Sequence, residues 1–297
     1  MHDVAVIIVG LNARDFIRQC LESLQRADWR NFSYEIIYVD NASTDGTVEM
    51  VAERFPGVSQ IRNSENLGFC KAANQGAGEA DSRYYFFLND DTIVLDSAIA
   101  LLVELLDKDP AIGVAGSRLL YPDRSEQWSG RRFPTLLNAF FGRRSLLHRW
   151  FPDAAPVARY LFKRELQGRE PFRVDWVSAA AMLVRREVFA AVGGFAEDYY
   201  YWHEPIICDR IRERGYEIRL HPGSKIIHFE GNGSGVRPYR VQRFHIIDFH
   251  RGAYRCYCEH YHLGRFSPLR LAAAVGLATR ALLLLVVLRI QHSRGSC

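Results

Sequence analysis

Two adjacent carboxylates, Asp90 and Asp91, follow Asn89 at the end of the aromatic-rich stretch "YYFFLNDDT". Adjacent acids repel each other and lose hydration in a cleft unless a cation compensates their charge. A site that offers only a few protein oxygen ligands suits Mg²⁺ or Mn²⁺, because substrate phosphates can supply the remaining ligands. A helix cap would be the simpler role for Asp91, but Asp96 already stands in the capping position of the next predicted helix. The stretch therefore indicates a metal-dependent phosphate site.

Polar residues also follow two earlier apolar segments. Asn12 comes after "VAVIIVG", and Asp40 and Asn41 end "YEIIYVD". Each group alone could be a turn or a helix cap. Ligands of parallel α/β sheets bind at the carboxyl ends of the strands, so three such groups together predict one cleft.

A third chemical feature is Glu204 in "YYYWHEPIICDRIRERGY". Three tyrosines, a tryptophan and a histidine precede it, and Pro205 follows it. Proline is accepted in the first turn of a helix, where the helix dipole favours an ionised carboxylate able to accept a proton. Burial among aromatic rings opposes that ionisation. Glu204 is either a working group in a cleft or part of ordinary core. Trp202 could stack on a sugar or fill the core, and His203 could orient Glu204 or cap the helix.

The elements that must position these residues alternate between strand and helix. Continuous apolar runs predict buried strands at residues 4–10, 34–40, 84–89 and 112–121, with helices between them, one capped by Ser43 or Thr44. This alternation predicts an α/β fold with a mostly parallel sheet flanked by helices. Residues 122–173 are predicted to form a loop-rich insertion over one edge. Two later strands, "YEIRLHP" and "KIIHFE", follow, and His228 lies in the second; alone it would be a metal ligand or a hydrogen-bonded structural residue.

Composition places the chain among globular proteins, with 48% apolar and 24% charged residues over 297 positions. The formal charge of +4 is too small to indicate a nucleic-acid partner. Six cysteines without metal-binding spacing fit a reducing, cytoplasmic compartment. The first residues have no basic segment before their apolar run, so we interpret them as a strand and not as a signal peptide.

The last part of the chain differs from the rest in charge. Ten arginines and two acids follow residue 236, and residues 271–290 are long and apolar enough to span a bilayer. Arg280 at the centre would oppose insertion by about 2.5–3.5 kcal/mol. Spanning the bilayer and packing on protein are both open, but the basic charge favours a helix lying on the anionic inner face of the cell membrane.

Taken in order, the motifs resemble those of family 2 glycosyltransferases, which are inverting enzymes with the GT-A fold. The segments that carry the resemblance are "VDNASTDGT", "NSENLGFCKAANQG", "FFLNDDT", "WVSAAAMLVRREVFAAVGGF" and "WHEPIICDRIRERGY…KIIHFEG". The bacterial rhamnosyltransferase-like branch is the most similar. The match indicates a GT-A domain over residues 1–235 and a helical, membrane-directed C-terminal extension over residues 236–297.

The resemblance also implies roles for individual residues. Asp91 matches the metal-binding acid, with Asn89 in place of the first Asp of the family's Asp-x-Asp motif, and His228 matches a histidine near the diphosphate. Positions that hold the nucleobase, the ribose and the rest of the nucleotide match Asp40, Asn41, Asn66, Gly68, Lys71 and Asn74.

The aromatic stretch departs from the family pattern of Phe/Trp-Glu-Asp-x-Asp-Leu-Cys-x-Arg. An ungapped alignment places Trp202 on the aromatic residue, His203 on the Glu and Glu204 on the first Asp, the family's catalytic base. Ile206 replaces the second acid, and Ala179 replaces a usual glycine. The resemblance therefore implies that Glu204 is the base, one methylene longer than usual.

Together, these features predict an inverting transferase that needs Mg²⁺ or Mn²⁺. It would move a sugar, with a rhamnose-type deoxysugar favoured, from a nucleotide-diphosphate donor to a hydroxyl of a lipid-linked glycan in cell-surface polysaccharide synthesis. A nucleotidyltransferase and a nucleotide- or glycan-binding protein without turnover are the alternatives. No glycine-rich dinucleotide fingerprint is present, which disfavours a dehydrogenase.

Overall fold

The computed structural model describes residues 1–133, 135, 160–230 and 238–294. The strands are β1 (His2–Gly10), β2 (Tyr34–Asp40), β3 (Val58–Arg62), β4 (Ser82–Asn89), β5 (Thr92–Val94), β6 (Ile112–Leu120), β7 (Gly130–Arg131), β8 (Phe172–Val174), β9 (Trp176–Val177), β10 (Ala181–Arg185) and β11 (Glu217–His228). The α-helices are α1 (Arg14–Arg26), α2 (Thr47–Arg54), α3 (Phe69–Glu79), α4 (Ala98–Lys108), α5 (Arg186–Ala191), α6 (His203–Glu213), α7 (Tyr239–His260) and α8 (Pro268–Arg294).

The central sheet has nine strands, in the order β3-β2-β1-β4-β10-β6-β11-β5, with β8 also paired to β11. Strands β1, β2, β3 and β4 pair in parallel, and β6 pairs in parallel with β11. Only β5, β8 and β10 pair antiparallel to their neighbours in this sheet. The predicted α/β fold with a mostly parallel sheet is confirmed.

Helices cover both faces of the sheet because successive side chains of a strand point to opposite sides. Val4, Val6 and Ile8 of β1 pack in the layer formed with α1, α2 and α4. Ala5 and Ile7 pack in the other layer, with α3, α5 and α6. Both layers consist of buried apolar side chains, which explains why the central strands are continuous apolar runs instead of alternating patterns.

The predicted helix caps are wrong at two positions. The residue before α2 is Gly46, in a left-handed conformation, and the side chains of Ser43 and Thr44 do not cap the helix. The Ser43 hydroxyl instead accepts a hydrogen bond from the Asn12 backbone at 2.8 Å. The residue before α4 is Ser97, and Asp96 adopts a left-handed φ of 47° one position earlier. Local sequence contains the capping residues, but long-range contacts decide which of them are used.

The two late strands that the sequence predicts are one strand, β11. It runs along β6 with a register shift between His221 and Lys225, so residues 222–224 between these two paired positions stay within the same strand. Of the predicted loop-rich insertion at 122–173, residues 134 and 136–159 lie outside the described residues. The described parts of this segment include β7 and the start of β8.

The C-terminal extension forms a helical hairpin. Ring and hydrogen-bond contacts join Tyr239 to His292, and the guanidinium of Arg280 to His250 Nε2 at 3.0 Å. Residues early in α7 therefore meet residues late in α8, and the two helices are antiparallel. Among the described helices, Pro268–Ser293 has the length and apolar composition to cross a membrane, and 11% of its most apolar stretch is buried.

Candidate active site

The carboxyl ends of β1, β2 and β4 meet at one edge of the sheet, as predicted. Asp40 is buried there, and its carboxylate accepts hydrogen bonds from the Ser43 backbone at 2.8 Å and the Tyr38 hydroxyl at 3.2 Å. Asn12 accepts a bond from the Thr44 backbone at 2.8 Å. The loops after β1 and β2 are therefore held together by their own polar residues, which leaves a fixed wall beside the sheet.

The two adjacent acids point to different surroundings. A Cβ on Gly10 would lie 2.9 Å from Asp90 Oδ2 and 2.5 Å from the Tyr38 hydroxyl, so only glycine fits beneath this carboxylate. Burial, and then the negative charge of Asp91, raise the pKa of Asp90 to about 8. The Leu11 backbone N–H donates to the same carboxylate. Asp90 is thus packed against the loop after β1, whereas Asp91 faces β11.

Asp91 meets His228 across the edge of the sheet. Its Oδ1 lies 3.2 Å from His228 Nε2, and the Asn89 amide nitrogen lies 3.1 Å from the same ring nitrogen. On the other side of the ring, His228 Nδ1 lies 2.6 Å from the Gln127 amide oxygen. Gln127 is buried, and its amide nitrogen donates to the His228 carbonyl at 3.2 Å.

This arrangement fixes the tautomer of His228. Because the Gln127 nitrogen donates to the His228 carbonyl, its oxygen must accept, and the proton of neutral His228 is on Nδ1. The lone pair of Nε2 then faces both the Asn89 amide nitrogen, at 3.1 Å, and Asp91 Oδ1, at 3.2 Å. A carboxylate oxygen and a ring nitrogen at this distance can serve as ligands of one cation, and an imidazole oriented by a second partner is typical of a metal ligand. The residues present fit Mg²⁺ or Mn²⁺.

The protein supplies few ligands to such an ion. Among the described residues, no group of three or more His, Cys, Asp and Glu side chains could hold a metal. Asp91 and His228 would therefore leave most coordination positions to water and substrate, as is usual for an ion that binds phosphates. Sequence reasoning missed Gln127, which lies in the irregular segment after β6; no spacing or motif there points to it.

The residues predicted to contact the nucleotide lie at both ends of the same wall. The Asn41 amide donates to the Gly68 carbonyl at 3.4 Å, and Asn66 accepts from the Gly68 backbone at 2.9 Å. Lys71 is exposed on the first turn of α3. Asn74 lies further along α3, where its amide bonds both the N–H and the carbonyl of Phe195, at 3.0 and 2.9 Å. The structure thus places Asn41, Asn66 and Gly68 next to one another, and Asn74 holds the loop before the aromatic stretch.

Glu204 lies in the first turn of α6, beside the start of α3. The His203 ring lies 5.0 Å from Phe69 and 5.7 Å from Phe195, between centroids. Its Nε2 lies 3.5 Å from Glu204 Oε2, while Nδ1 is buried with no hydrogen-bond partner among the described residues. The proton of neutral His203 therefore stays on the nitrogen that faces Glu204. No side-chain cap is present on α6, so His203 lies against Glu204 instead of capping the helix.

The aromatic residues before Glu204 form the contact with α7. The Tyr199 hydroxyl donates to Glu259 at 2.6 Å, and the Trp202 indole donates to the Phe249 carbonyl at 3.0 Å. Tyr199 and Ile206 pack with Cys256 in a separate apolar cluster. An acid at position 206 would be buried in this cluster, which explains the isoleucine in place of the family's second acid.

Comparisons with known proteins identify the family of this chain. The family model for glycosyl transferase family 2 matches residues 5–193. An N-acetylglucosaminyl-diphospho-decaprenol L-rhamnosyltransferase of Mycobacterium tuberculosis is 27% identical over 294 residues, which cover 95% of this chain and 92% of the relative. The rhamnosyltransferase WbbL of Escherichia coli is 24% identical over 257 residues, or 82% of this chain and 89% of the relative.

The fold is similar to that of solved glycosyltransferases. The mannosyltransferase PcManGT of Pyrobaculum calidifontis, solved with GDP-Man and Mn²⁺, superposes with a TM-score of 0.59 at 19% identity, covering 100% of this chain and 77% of that one. GalNAc-T7 with UDP, GalNAc and Mn²⁺ gives a TM-score of 0.59 at 18% identity, over 82% and 47% of the two chains. The chain has the GT-A fold and belongs to glycosyl transferase family 2.

Proposed function

We propose that this glycosyltransferase moves a rhamnose-type sugar from a nucleotide-diphosphate donor to a hydroxyl of a lipid-linked glycan, with inversion at the sugar. The observation that carries the proposal is the contact of 3.2 Å between Asp91 Oδ1 and His228 Nε2 at the edge of the sheet. The rhamnosyl group is favoured because two relatives that align over most of this chain are named rhamnosyltransferases.

Asp91 and His228 would hold Mg²⁺ or Mn²⁺, with Gln127 keeping the lone pair of His228 directed at the ion. Bound there, the ion supplies positive charge for a diphosphate leaving group. Asp40, Asn41, Asn66, Gly68 and Lys71 form the wall on which the nucleotide would lie. Asn89 and Asn12 complete the edge between this wall and the metal ligands.

Glu204 would take the proton from the attacking hydroxyl. It stands in the first turn of α6, where the N-terminal helix dipole stabilises a carboxylate that must be ionised to act as a base. His203 Nε2 lies 3.5 Å from Glu204 Oε2, on a ring packed against Phe69 and Phe195, and would help to orient the carboxylate. Trp202 and the tyrosines hold this turn against α7, so we propose them as positioning residues instead of a sugar platform.

The acceptor is proposed to be membrane-bound. The name of the Mycobacterium tuberculosis relative describes an acceptor in which a diphosphate joins N-acetylglucosamine to decaprenol. In this chain, the apolar helix α8 and the arginines of the extension fit an enzyme that lies on the cytoplasmic face of an anionic membrane.

Substitution of Glu204 tests the proposal directly. Glu204→Gln keeps the shape of the side chain and removes its basicity, so turnover should fall about 10²–10⁴-fold while donor affinity is unchanged. Glu204→Asp withdraws the carboxylate by one methylene and should also lose activity, on the order of 10²-fold. Turnover is measured as nucleoside diphosphate released with the acceptor present, and donor affinity by calorimetry. Retention of most activity by the Gln variant would exclude Glu204 as the base.

A further inference from the structure

Three arginines lie on one face of α7: Arg240, Arg243 and Arg251. At about 100° per residue, these positions fall within an arc of about 80° on the helix surface. They line a pocket of about 550 Å³ together with Tyr239, Phe244, Ile247 and Asp248. The opposite face of α7 carries Phe249 and Gly252, which contact Trp202. The helix thus holds the turn before Glu204 on one side and presents guanidinium groups on the other.

No partner of these arginines is found in the part of the chain that the structure describes. Within the described residues, none of the three makes a hydrogen bond or an ion pair. Other arginines of the extension do: Arg255 pairs with Asp198, and Arg270 donates to the Tyr254 hydroxyl at 2.8 Å. Three unpartnered guanidinium groups around one cavity repel each other and would be stabilised by an anion. Asp248 offsets one of the charges, which leaves the lining residues with a formal charge of +2.

An apolar surface lies beside this pocket. Tyr239, which lines the pocket, packs on His292 near the end of α8, with 5.1 Å between ring centroids. The outer side of α8 exposes large aliphatic side chains: Leu271, Val275, Leu282, Leu283, Val286 and Ile290. Arg280, the one charge near the middle of α8, is directed at His250 of α7. A ligand that suits both surfaces carries phosphate groups and a long hydrocarbon chain.

We propose that Arg240, Arg243 and Arg251 bind the diphosphate of a polyprenyl-diphosphate-linked acceptor, whose hydrocarbon chain lies along α8. The proposal rests on the proposed function and adds the place where the acceptor is recognised. Guanidinium groups bind phosphate oxygens in a bidentate manner, and a diphosphate diester carries two negative charges, which match the +2 of the pocket. Anionic phospholipid headgroups carry fewer charges each and need no pocket. Because α7 also holds Trp202, acceptor binding and the position of Glu204 are coupled through one helix.

Binding of the full-length protein to vesicles tests this inference without any sugar transfer. Phosphatidylcholine vesicles that contain a polyprenyl diphosphate are compared, at matched surface charge, with vesicles that contain phosphatidylglycerol. Wild type should prefer the diphosphate vesicles. In Arg243→Gln/Arg251→Gln, affinity for the diphosphate vesicles should fall about 10- to 100-fold, to the level of phosphatidylglycerol. Arg265→Gln/Arg289→Gln removes the same charge outside the pocket and should keep the preference. Donor binding of each variant confirms that it is folded.

Each other outcome overturns the inference. If wild type binds both kinds of vesicle equally, or if the two double variants lose affinity for the diphosphate vesicles equally, the arginines are a general anionic-surface patch. Failure of the proposed function is separate: a protein that prefers diphosphate vesicles but transfers no sugar would retain this site and lose the reaction. A protein that transfers sugar to a soluble acceptor but has no preference for diphosphate vesicles would retain the reaction and lose this site.

Discussion

A single buried amide, that of Gln127, decides what His228 can do. Its oxygen accepts from Nδ1 at 2.6 Å and its nitrogen donates to the His228 carbonyl at 3.2 Å, and the reversed amide would set its oxygen against that carbonyl oxygen. The ring is therefore held with Nε2 toward Asp91. Such outer partners of metal ligands usually contribute 10–100-fold to metal affinity.

Gln127→Leu should weaken Mn²⁺ binding about 10- to 100-fold, because Nδ1 loses its acceptor and the ring can rotate or change tautomer. Gln127→Glu keeps an acceptor for Nδ1 and should retain more of the affinity. Calorimetric titration with Mn²⁺ in the presence of nucleotide measures both. Equal losses in the two variants would mean that Gln127 acts through packing and not through the proton on His228.

Asp91→Asn should abolish the metal dependence of donor binding, because it removes the charge that faces His228 Nε2. Calorimetry of donor binding with and without Mn²⁺ measures the effect. The matched control is Asp123→Asn, which removes an exposed acid in the turn after β6 and should bind as wild type does. Unchanged affinity and metal dependence in Asp91→Asn would remove this residue from the site.

At the scale of elements, the buried strands were predictable almost residue by residue. The strand predicted at 34–40 is β2 itself, and the one at 4–10 differs from β1 by two residues. Strands buried on both faces are continuous apolar runs, and such a run can be recognised in the sequence without knowing which strands lie beside it. Helix starts depend on which polar group lies nearby in space, which explains the wrong assignments to Ser43, Thr44 and Asp96.

The candidate site was predictable in its residue types but not in its contacts. Asp91 follows a recognisable strand, yet its meeting with His228 depends on the pairing of β11 with β5 and β6. Gln127 lies in an irregular segment in which no sequence pattern predicts a contact with His228. The aromatic stretch could not be interpreted from its own residues, because the groups that explain it, Glu259 and the Phe249 carbonyl, lie in the extension.

The close contact between α7 and the aromatic turn makes a further prediction. A Cβ on Gly252 would lie 2.9 Å from Trp202 Cδ1 and 3.1 Å from the Tyr201 carbonyl. Gly252→Ala should therefore displace the turn before Glu204, and turnover should fall on the order of 10²-fold while donor affinity holds. Gly276→Ala, on α8, has nothing within 4 Å of the new Cβ and is the control. Wild-type kcat in Gly252→Ala would show that α7 does not position the base.

At the scale of the whole molecule, we propose two roles for the extension, one on each of its helices. The helix α7 supports the turn before Glu204, and Trp202 holds a left-handed φ of 72° there, a conformation that persists only when its surroundings enforce it. The helix α8 contacts α7 and exposes an apolar surface to the outside. Two C-terminal deletions, one that removes α8 alone and one that removes both helices, should therefore separate membrane attachment from catalytic geometry.

Deletion of residues 268–297 removes α8 alone. The protein should then move from the membrane pellet to the soluble fraction and should still hydrolyse the donor slowly, because α7 keeps its bonds to Tyr199 and Trp202.

Deletion of residues 236–297 also removes α7, which exposes the cluster of Tyr199 and Ile206 and frees the turn before Glu204. This shorter chain should melt at a lower temperature and lose donor hydrolysis. Sedimentation with anionic liposomes and the rate of nucleoside diphosphate release distinguish the two deletions. A full-length protein that ignores these liposomes would contradict the role of α8, whereas full activity after the longer deletion would contradict that of α7.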